Sequence, residues 1–149
     1  MEISNKNVIV TGGANGIGKA LAKAFKNAGA SYILIADLDE TEGQKTADEL
    51  GIKFKRTDVS SESDIIELIA TANNDTQSID IFCSNAGIGG APMLLDVSTE
   101  DWQNIWEINV MSHIYAAKNV LPQMIEKGSG YLMNTASAAG LLTQVGAAP

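Results

Sequence analysis

The sequence predicts an α/β protein: a doubly wound parallel sheet of about five strands in the order 3-2-1-4-5, forming one unit over residues 1–149. Three observations lead there. Short apolar runs alternate with helix-like segments and no repeat, low-complexity tract or linker intervenes, which is the pattern of successive βαβ units. The first run, Val8-Ile9-Val10, passes into Thr11-Gly12-Gly13-Ala14-Asn15-Gly16-Ile17-Gly18 and then into a helix-like segment from Lys19 to Ala28. The second run, Tyr32 to Ala36, closes on Asp37.

Each element has its own local reason. Strands are expected near 7–11, 32–36, 52–56, 79–84 and 130–135, several of them continuous apolar runs, as suits a sheet covered on both faces. The third differs: Ile52-Lys53-Phe54-Lys55 alternates apolar residues with lysine, which suits an edge strand, and the order 3-2-1-4-5 puts strand three at an edge. Helix starts are expected where a hydroxyl precedes an acceptor by three residues: Thr41 with Gln44, Ser61 with Asp64, and Ser98 with Asp101. A long helix over about 99–126 carries Trp102, Ile105, Trp106, Val110, Ile114, Ala117, Leu121 and Met124 on one stripe, which is expected to pack against the sheet.

The glycine turn lies between strand and helix, where a phosphate group can meet the unpaired N–H groups and positive end of the helix. Gly12, Gly16 and Gly18 are read as serving the turn, the close approach of a pyrophosphate and the helix packing, respectively. Asn15 offers a side chain and Ile17 a backbone N–H, with a packing-only role open for Ile17. Asp37 lies nineteen residues beyond Gly18, close to the ~20 at which an acidic residue meets an adenosine ribose. There its carboxylate would accept from both ribose hydroxyls and repel a 2′-phosphate. Asp58-Val59, before Ser60-Ser61, reads equally well as a turn and helix cap or as a ligand contact. Asn85-Ala86-Gly87 ends strand four at the switch point of the sheet, where ligands bind in open α/β folds, although Asn and Gly there could also form a simple turn. Asn109 interrupts an apolar helix, where an amide without partners costs about 1–3 kcal/mol, so it reads either as a satisfied structural side chain that bends the helix or as a functional one.

The spacing Thr-Gly-x-x-x-Gly-x-Gly resembles the short-chain dehydrogenase/reductase family. The resemblance continues in order through Asp58-Val59, Asn85-Ala86-Gly87, Asn109, and Ser137 in Asn134-Thr135-Ala136-Ser137-Ala138-Ala139-Gly140, and covers essentially the whole chain. It implies an oxidoreductase that moves a hydride between a nicotinamide and a secondary alcohol or ketone. Ala14 and Leu38 are uncharged where members preferring the phosphorylated cofactor carry Arg or Lys, so with Asp37 the cofactor implied is NAD(H). Asp58 is implied to meet the adenine amine and the Val59 N–H its ring. Ser137 is implied to hydrogen-bond the substrate oxygen. The Asn109 carbonyl is implied to hold a water beside a catalytic lysine. The Tyr-x-x-x-Lys pair that follows the serine in the family would begin one place beyond Pro149. The chain is therefore expected to be the amino-terminal part of such an enzyme, inactive as given; the alternative is a non-catalytic dinucleotide-binding protein or natural remnant. The long helix and the one after it build the family's subunit interface, which implies a homo-oligomer. An acyl-carrier ketoreductase of the same family is not separable from sequence.

Composition narrows the rest. A net charge of −8 with ten scattered Lys and Arg residues argues against nucleic acid as a partner. No apolar run approaches the ~20 residues needed to cross a bilayer, and Met1-Glu2-Ile3-Ser4 lacks a basic leader, so no membrane and a cytoplasmic location are expected. One cysteine, Cys83, and one histidine, His113, exclude an internal disulfide and a cluster of such metal ligands. Cys83 is read as a buried strand thiol and His113 as a packed or helix-surface side chain. Ser137 lacks the Gly-x-Ser-x-Gly setting of a hydrolase nucleophile. Gly89 to Leu94 is expected to line one wall of the substrate pocket, and the isolated 149 residues are expected to be marginally stable and to associate.

Overall fold

The computed structural model describes residues 2–90 and 94–140. Strands β1 (Asn7–Thr11), β2 (Tyr32–Asp37), β3 (Lys53–Arg56), β4 (Ile81–Ser84) and β5 (Tyr131–Asn134) form one parallel sheet in the order β3-β2-β1-β4-β5. This is the expected order. In the register of β1, Ile9 lies between Leu34 and Phe82, and Val10 between Ile35 and Cys83. Helices α1 (Gly16–Asn27) and α2 (Glu40–Leu50) cover one face of the sheet, where Ala22, Phe25, Ala47 and Leu50 pack on Val8, Val10, Ile33 and Ile35. Helix α3 (Glu62–Thr76) and the later helix α5 (Ser112–Lys127) cover the other, packing Ile65, Leu68, Ala116 and Val120 on Ile9, Leu34 and Phe82. Burying apolar side chains on both faces drives the assembly, at roughly 25 cal/mol per Å² removed from water.

Strand β3 is the predicted edge, with exposed Lys53 and Arg56 at its ends. At the amino ends of β1 and β4, Asp80 is buried and accepts from the Asn7 N–H (2.9 Å) and the Lys127 ammonium (2.6 Å), with Lys6 at 3.7 Å. Burial alone would push this carboxyl up; the Lys127 and Asn7 hydrogen bonds and the two lysine charges outweigh it and hold Asp80 below the ordinary carboxylate range.

Three local expectations need correction. Helix α1 starts at Gly16, earlier than Lys19, so the last glycines of the turn belong to its first turn. Helix α2 is capped by Asp39, which accepts from Glu42 N at 3.0 Å, and Thr41 lies inside the helix while Gln44 donates to Asp48. An aspartate at the strand exit reaches the free N–H groups first, and a carboxylate also suits the helix dipole. Ser61 and Ser98 cap α3 and α4 (Thr99–Trp106) as expected, the latter in a reciprocal capping box with Asp101.

The third correction concerns the long helix. Between α4 and α5 the chain makes a π-helical turn over Glu107–Met111 with Asn109 at its centre. The stripe of large residues is not the buried one: Trp102, Trp106, Ile114 and Leu121 are exposed, and Val110 and Ala117 half-buried. Of the expected stripe only Ile105 and Met124 are buried, and Ser112, Ala116 and Val120 join them on the inward face. The small side chains of Ser112 and Ala116 let α5 approach α3 and the sheet closely, which bulky groups at those positions would prevent.

Candidate functional site

The site lies at the carboxyl ends of the strands, between β1 and β4, and is built on Thr11. The Thr11 hydroxyl accepts from the N–H groups of Asn85 (3.0 Å) and Ala86 (3.2 Å) and donates to the Cys83 carbonyl (3.4 Å). The Asn85 side chain returns the link, its Nδ2 donating to the Thr11 carbonyl at 3.1 Å and its Oδ1 accepting from the Thr135 hydroxyl at 3.0 Å. The glycine turn is tied to β2 and α2 in the same way. Gly13 N–H donates to the Ala36 carbonyl (3.1 Å), Ala14 N–H to Asp37 Oδ2 (3.0 Å), and the buried Thr46 hydroxyl to the Ala14 carbonyl (2.6 Å).

Gly12 takes φ +65° and Gly16 φ +52°, a region that favours glycine. A Cβ at Gly16 would meet nothing within 4 Å, so its backbone borders open space; one at Gly18 would fall 1.9 Å from the Gly12 carbonyl oxygen. Helices α2, α3 and α4 each begin on a capping side chain with acids in the first turn. Helix α1 has neither: Asn15 makes no side-chain cap bond and the first turn carries no acid. Its leading N–H groups therefore remain available to an anion, with the helix dipole in favour.

A cleft of about 540 Å³ opens in front of this turn. Its lining contains all twelve residues read from the sequence as cofactor contacts: Gly12, Asn15, Gly16, Ile17 and Gly18; Asp37 and Leu38; Asp58 and Val59; and Asn85, Ala86 and Gly87. The Asp37 carboxylate is held at its lip by two backbone donors, Ala14 N–H on Oδ2 and Asp39 N–H on Oδ1 (3.1 Å). Asp58 serves a turn as well, accepting on Oδ1 from the Ser60 N–H (3.0 Å) and hydroxyl (2.6 Å). Asp64, held low by hydrogen bonds from the Asp58 N–H and the Ser61 hydroxyl, fixes that turn from below.

A second cleft, of about 560 Å³, adjoins the first and shares Asn85, Ala86, Gly87, Ile88 and Thr135 with it. Asn109, His113 and Ser137 line it. The Asn109 amide is satisfied at both ends by one residue: Oδ1 accepts from Ile88 N–H and Nδ2 donates to the Ile88 carbonyl, each at 2.9 Å. That two-point clamp holds the chain leaving β4 against the π turn. His113 is half-buried on α5, as a packed or helix-surface side chain would be, and it borders the cleft. Burial lowers its pKa, and an interaction with the Asn134 side chain partly opposes this. Cys83 is buried, and burial pushes its thiol up to about 12, which removes it as a nucleophile near neutral pH. Of the segment read as a pocket wall, Ala91, Pro92 and Met93 lie outside the described residues.

Sequence reasoning passed over Thr46, Thr57, Ile88, Ile108 and Thr135. Thr46 and Thr135 join the site through partners 32 and 50 positions away. Thr57, Ile88 and Thr135 also adjoin or fall within the motifs already singled out, which is the signal that could have found them.

A model of the short chain dehydrogenase family matches residues 6–149. The chain belongs to the short-chain dehydrogenase family. It is 34% identical over 145 residues to YvrD of Bacillus subtilis (strain 168), named an uncharacterized oxidoreductase, a match covering 95% of this chain and 54% of that protein. Among solved structures it is similar to a short-chain dehydrogenase/reductase from Burkholderia phymatum in complex with NAD, with TM-score 0.95 and 29% identity, over 99% of this chain and 54% of that one. It is likewise similar to 3-ketoacyl-(acyl-carrier-protein) reductase from Brucella melitensis complexed with NADH, with TM-score 0.93 and 27% identity, over 97% of this chain and 62% of that one. The chain thus spans little more than half the length of these members of the family.

Proposed function

We propose that residues 1–149 form the dinucleotide-binding unit of an NAD(H)-dependent oxidoreductase acting on a secondary alcohol or its ketone. The observation that carries this reading is the pairing, across one cleft, of the uncapped first turn of α1 with an Asp37 carboxylate oriented by two backbone N–H groups. In this reading the first turn of α1 takes the pyrophosphate and Asp37 the adenosine ribose. Asp58 and Val59 border the adenine, and Asn85-Ala86-Gly87 leads toward the second cleft. The bound nicotinamide supplies the hydride acceptor or donor. Ser137, beside that position, hydrogen-bonds the substrate oxygen. Asn109 holds the β4 exit through Ile88, and in this reading its backbone carbonyl takes the water that the family resemblance implies. The tyrosine and lysine of the family pattern are not among these residues, so we expect the 149 residues alone to bind without turnover. Complexes of two similar structures with NAD and NADH support the cofactor assignment.

Fluorescence titration tests it. NADH should saturate the site, with NADPH weaker by at least about tenfold, or ~1.4 kcal/mol. Equal affinity for both would overturn the ribose assignment, and no binding of either the whole reading. Turnover of an alcohol panel by the 149 residues would refute their inactivity.

We assign the protein to the cytosol as a homo-oligomer that binds neither nucleic acid nor membrane. The acidic balance supports the exclusion of nucleic acid, and among the described residues no helix is long and apolar enough to cross a membrane. The exposed Trp102, Trp106, Ile114 and Leu121 on α4 and α5 support self-association, since a monomer seldom leaves so much apolar surface in water. Light scattering showing a monodisperse monomer would refute it.

A further inference from the structure

We infer that Thr135 is a positioning residue for the dinucleotide site, tying the strand that leads to Ser137 to the glycine turn through Asn85. This rests on the reading of the first cleft as a dinucleotide site. Thr135 follows β5 directly and borders both clefts, two residues before Ser137. Its hydroxyl donates to Asn85 Oδ1 (3.0 Å), and its N–H donates to the Ser84 carbonyl (3.0 Å), so the residue is fixed to the end of β4 at two points. The other end of the Asn85 amide donates to the Thr11 carbonyl (3.1 Å). Hydrogen bonds thus run from β5 through β4 to β1 along the floor of the site.

The Asn85 amide has an assigned direction for a chemical reason. Turned over, it would place its oxygen against the Thr11 carbonyl, two acceptors facing each other. With the nitrogen committed to Thr11, the oxygen needs a donor, and the Thr135 hydroxyl is the donor the structure provides. The amide also touches the cofactor turn. Its Nδ2 lies 2.9 Å from where a Cβ would stand on Gly18 and 3.1 Å from that on Gly12, so it is wedged against the start of α1. Any movement of this amide shifts the N–H groups that face the pyrophosphate position. Its test therefore separates the hydroxyl of Thr135 from its methyl group.

Thr135→Val keeps the methyl and shape but removes the donor, and Thr135→Ser does the reverse. NADH affinity, measured by fluorescence titration, should weaken roughly three- to tenfold in the valine variant, as expected for one net hydrogen bond. It should stay within about twofold in the serine variant, since the hydroxyl donor is kept. A packing role predicts the opposite ranking, and that ranking, or equal affinity in all three proteins, overturns the inference. A second measurement needs no cofactor: the Asn85 side-chain amide protons, followed by NMR, should exchange with solvent faster in Thr135→Val than in the unaltered protein and Thr135→Ser. Unchanged exchange overturns the inference even if affinity falls. Failure of the unaltered protein to bind NADH would overturn the dinucleotide reading and, with it, the positioning role for that ligand, whatever the exchange shows.

Discussion

Substituting alanine for Gly18 should strain the protein itself far more than substituting it for Gly16, although the two glycines share one turn. At Gly18 the added Cβ would stand 1.9 Å from the Gly12 carbonyl oxygen and 2.6 Å from its carbon. Real Cβ contacts essentially never fall under 3.0 Å, so the Gly12 peptide would have to retreat by more than 1 Å. It has no room. A Cβ position on Gly12 already lies 2.9 Å from the Ala86 backbone, and Thr11 is held by hydrogen bonds to the residues after β4. Overpacking of this kind costs about 1–3 kcal/mol, which for a chain of this size lowers the melting temperature by about 2–12 °C. Losing one hydrogen bond between the displaced turn and a charged phosphate costs about 1.5–3 kcal/mol, so NADH affinity is expected to fall by roughly 10- to 100-fold. At Gly16 the added Cβ meets no protein atom, so folding bears the positive φ alone, about 1–2 kcal/mol, while the methyl faces the cleft assigned to the pyrophosphate and should weaken NADH binding there. Thermal melting and NADH titration of both variants decide the matter. A Gly18→Ala protein that melts like the unaltered one and binds NADH within twofold would refute the packing argument.

Three further outcomes follow from the geometry. Asp37→Ala should weaken NADH by about tenfold and bring NADPH to comparable affinity, because it removes the ribose acceptor and the charge opposing a 2′-phosphate; unchanged affinities would remove Asp37 from the ribose. Lys127→Ala should destabilise the fold by about 1–3 kcal/mol in urea melts, since it strips the closest partner from a buried carboxylate. Because the folded Asp80 carboxyl titrates low, the stability it contributes is present above the ordinary carboxylate range and lost as acid protonates it; a variant with unchanged midpoint and acid sensitivity would contradict this. Burial holds the His113 imidazole below its ordinary value, so the unfolded chain binds the proton first and stability should fall as pH drops through about 6.5. His113→Gln should flatten that part of the curve, and a slope equal to that of the unaltered protein would sink the assignment.

Much of the fold was legible because it is local. The strand-turn-helix order around Gly12 to Gly18, the lysines of β3, and the caps Ser61 and Ser98 each depend on residues a few positions apart. Helix α2 misled for an equally local reason: two capping signals, Asp39 and Thr41, compete within three residues, and the carboxylate nearer the strand captures the free N–H groups. The long helix misled because periodicity marks an apolar stripe without saying what it meets. Trp102, Trp106 and Ile114 form the stronger stripe, yet the narrow space beside α3 admits Ser112 and Ala116.

The sequence by itself determined the parallel α/β order, the glycine turn, the acidic residue closing β2 and the family, because period, spacing and residue type are properties of a chain read along its length. The tertiary structure alone decided which helix face is buried, where Asn109 clamps Ile88 across a π turn, and how Thr135, Asn85 and Thr11 share hydrogen bonds. Those partners lie 21 to 74 positions apart in the chain. Such groups have no geometry toward one another until the strands pair, and it is the pairing of β1, β4 and β5 that sets them within hydrogen-bond distance.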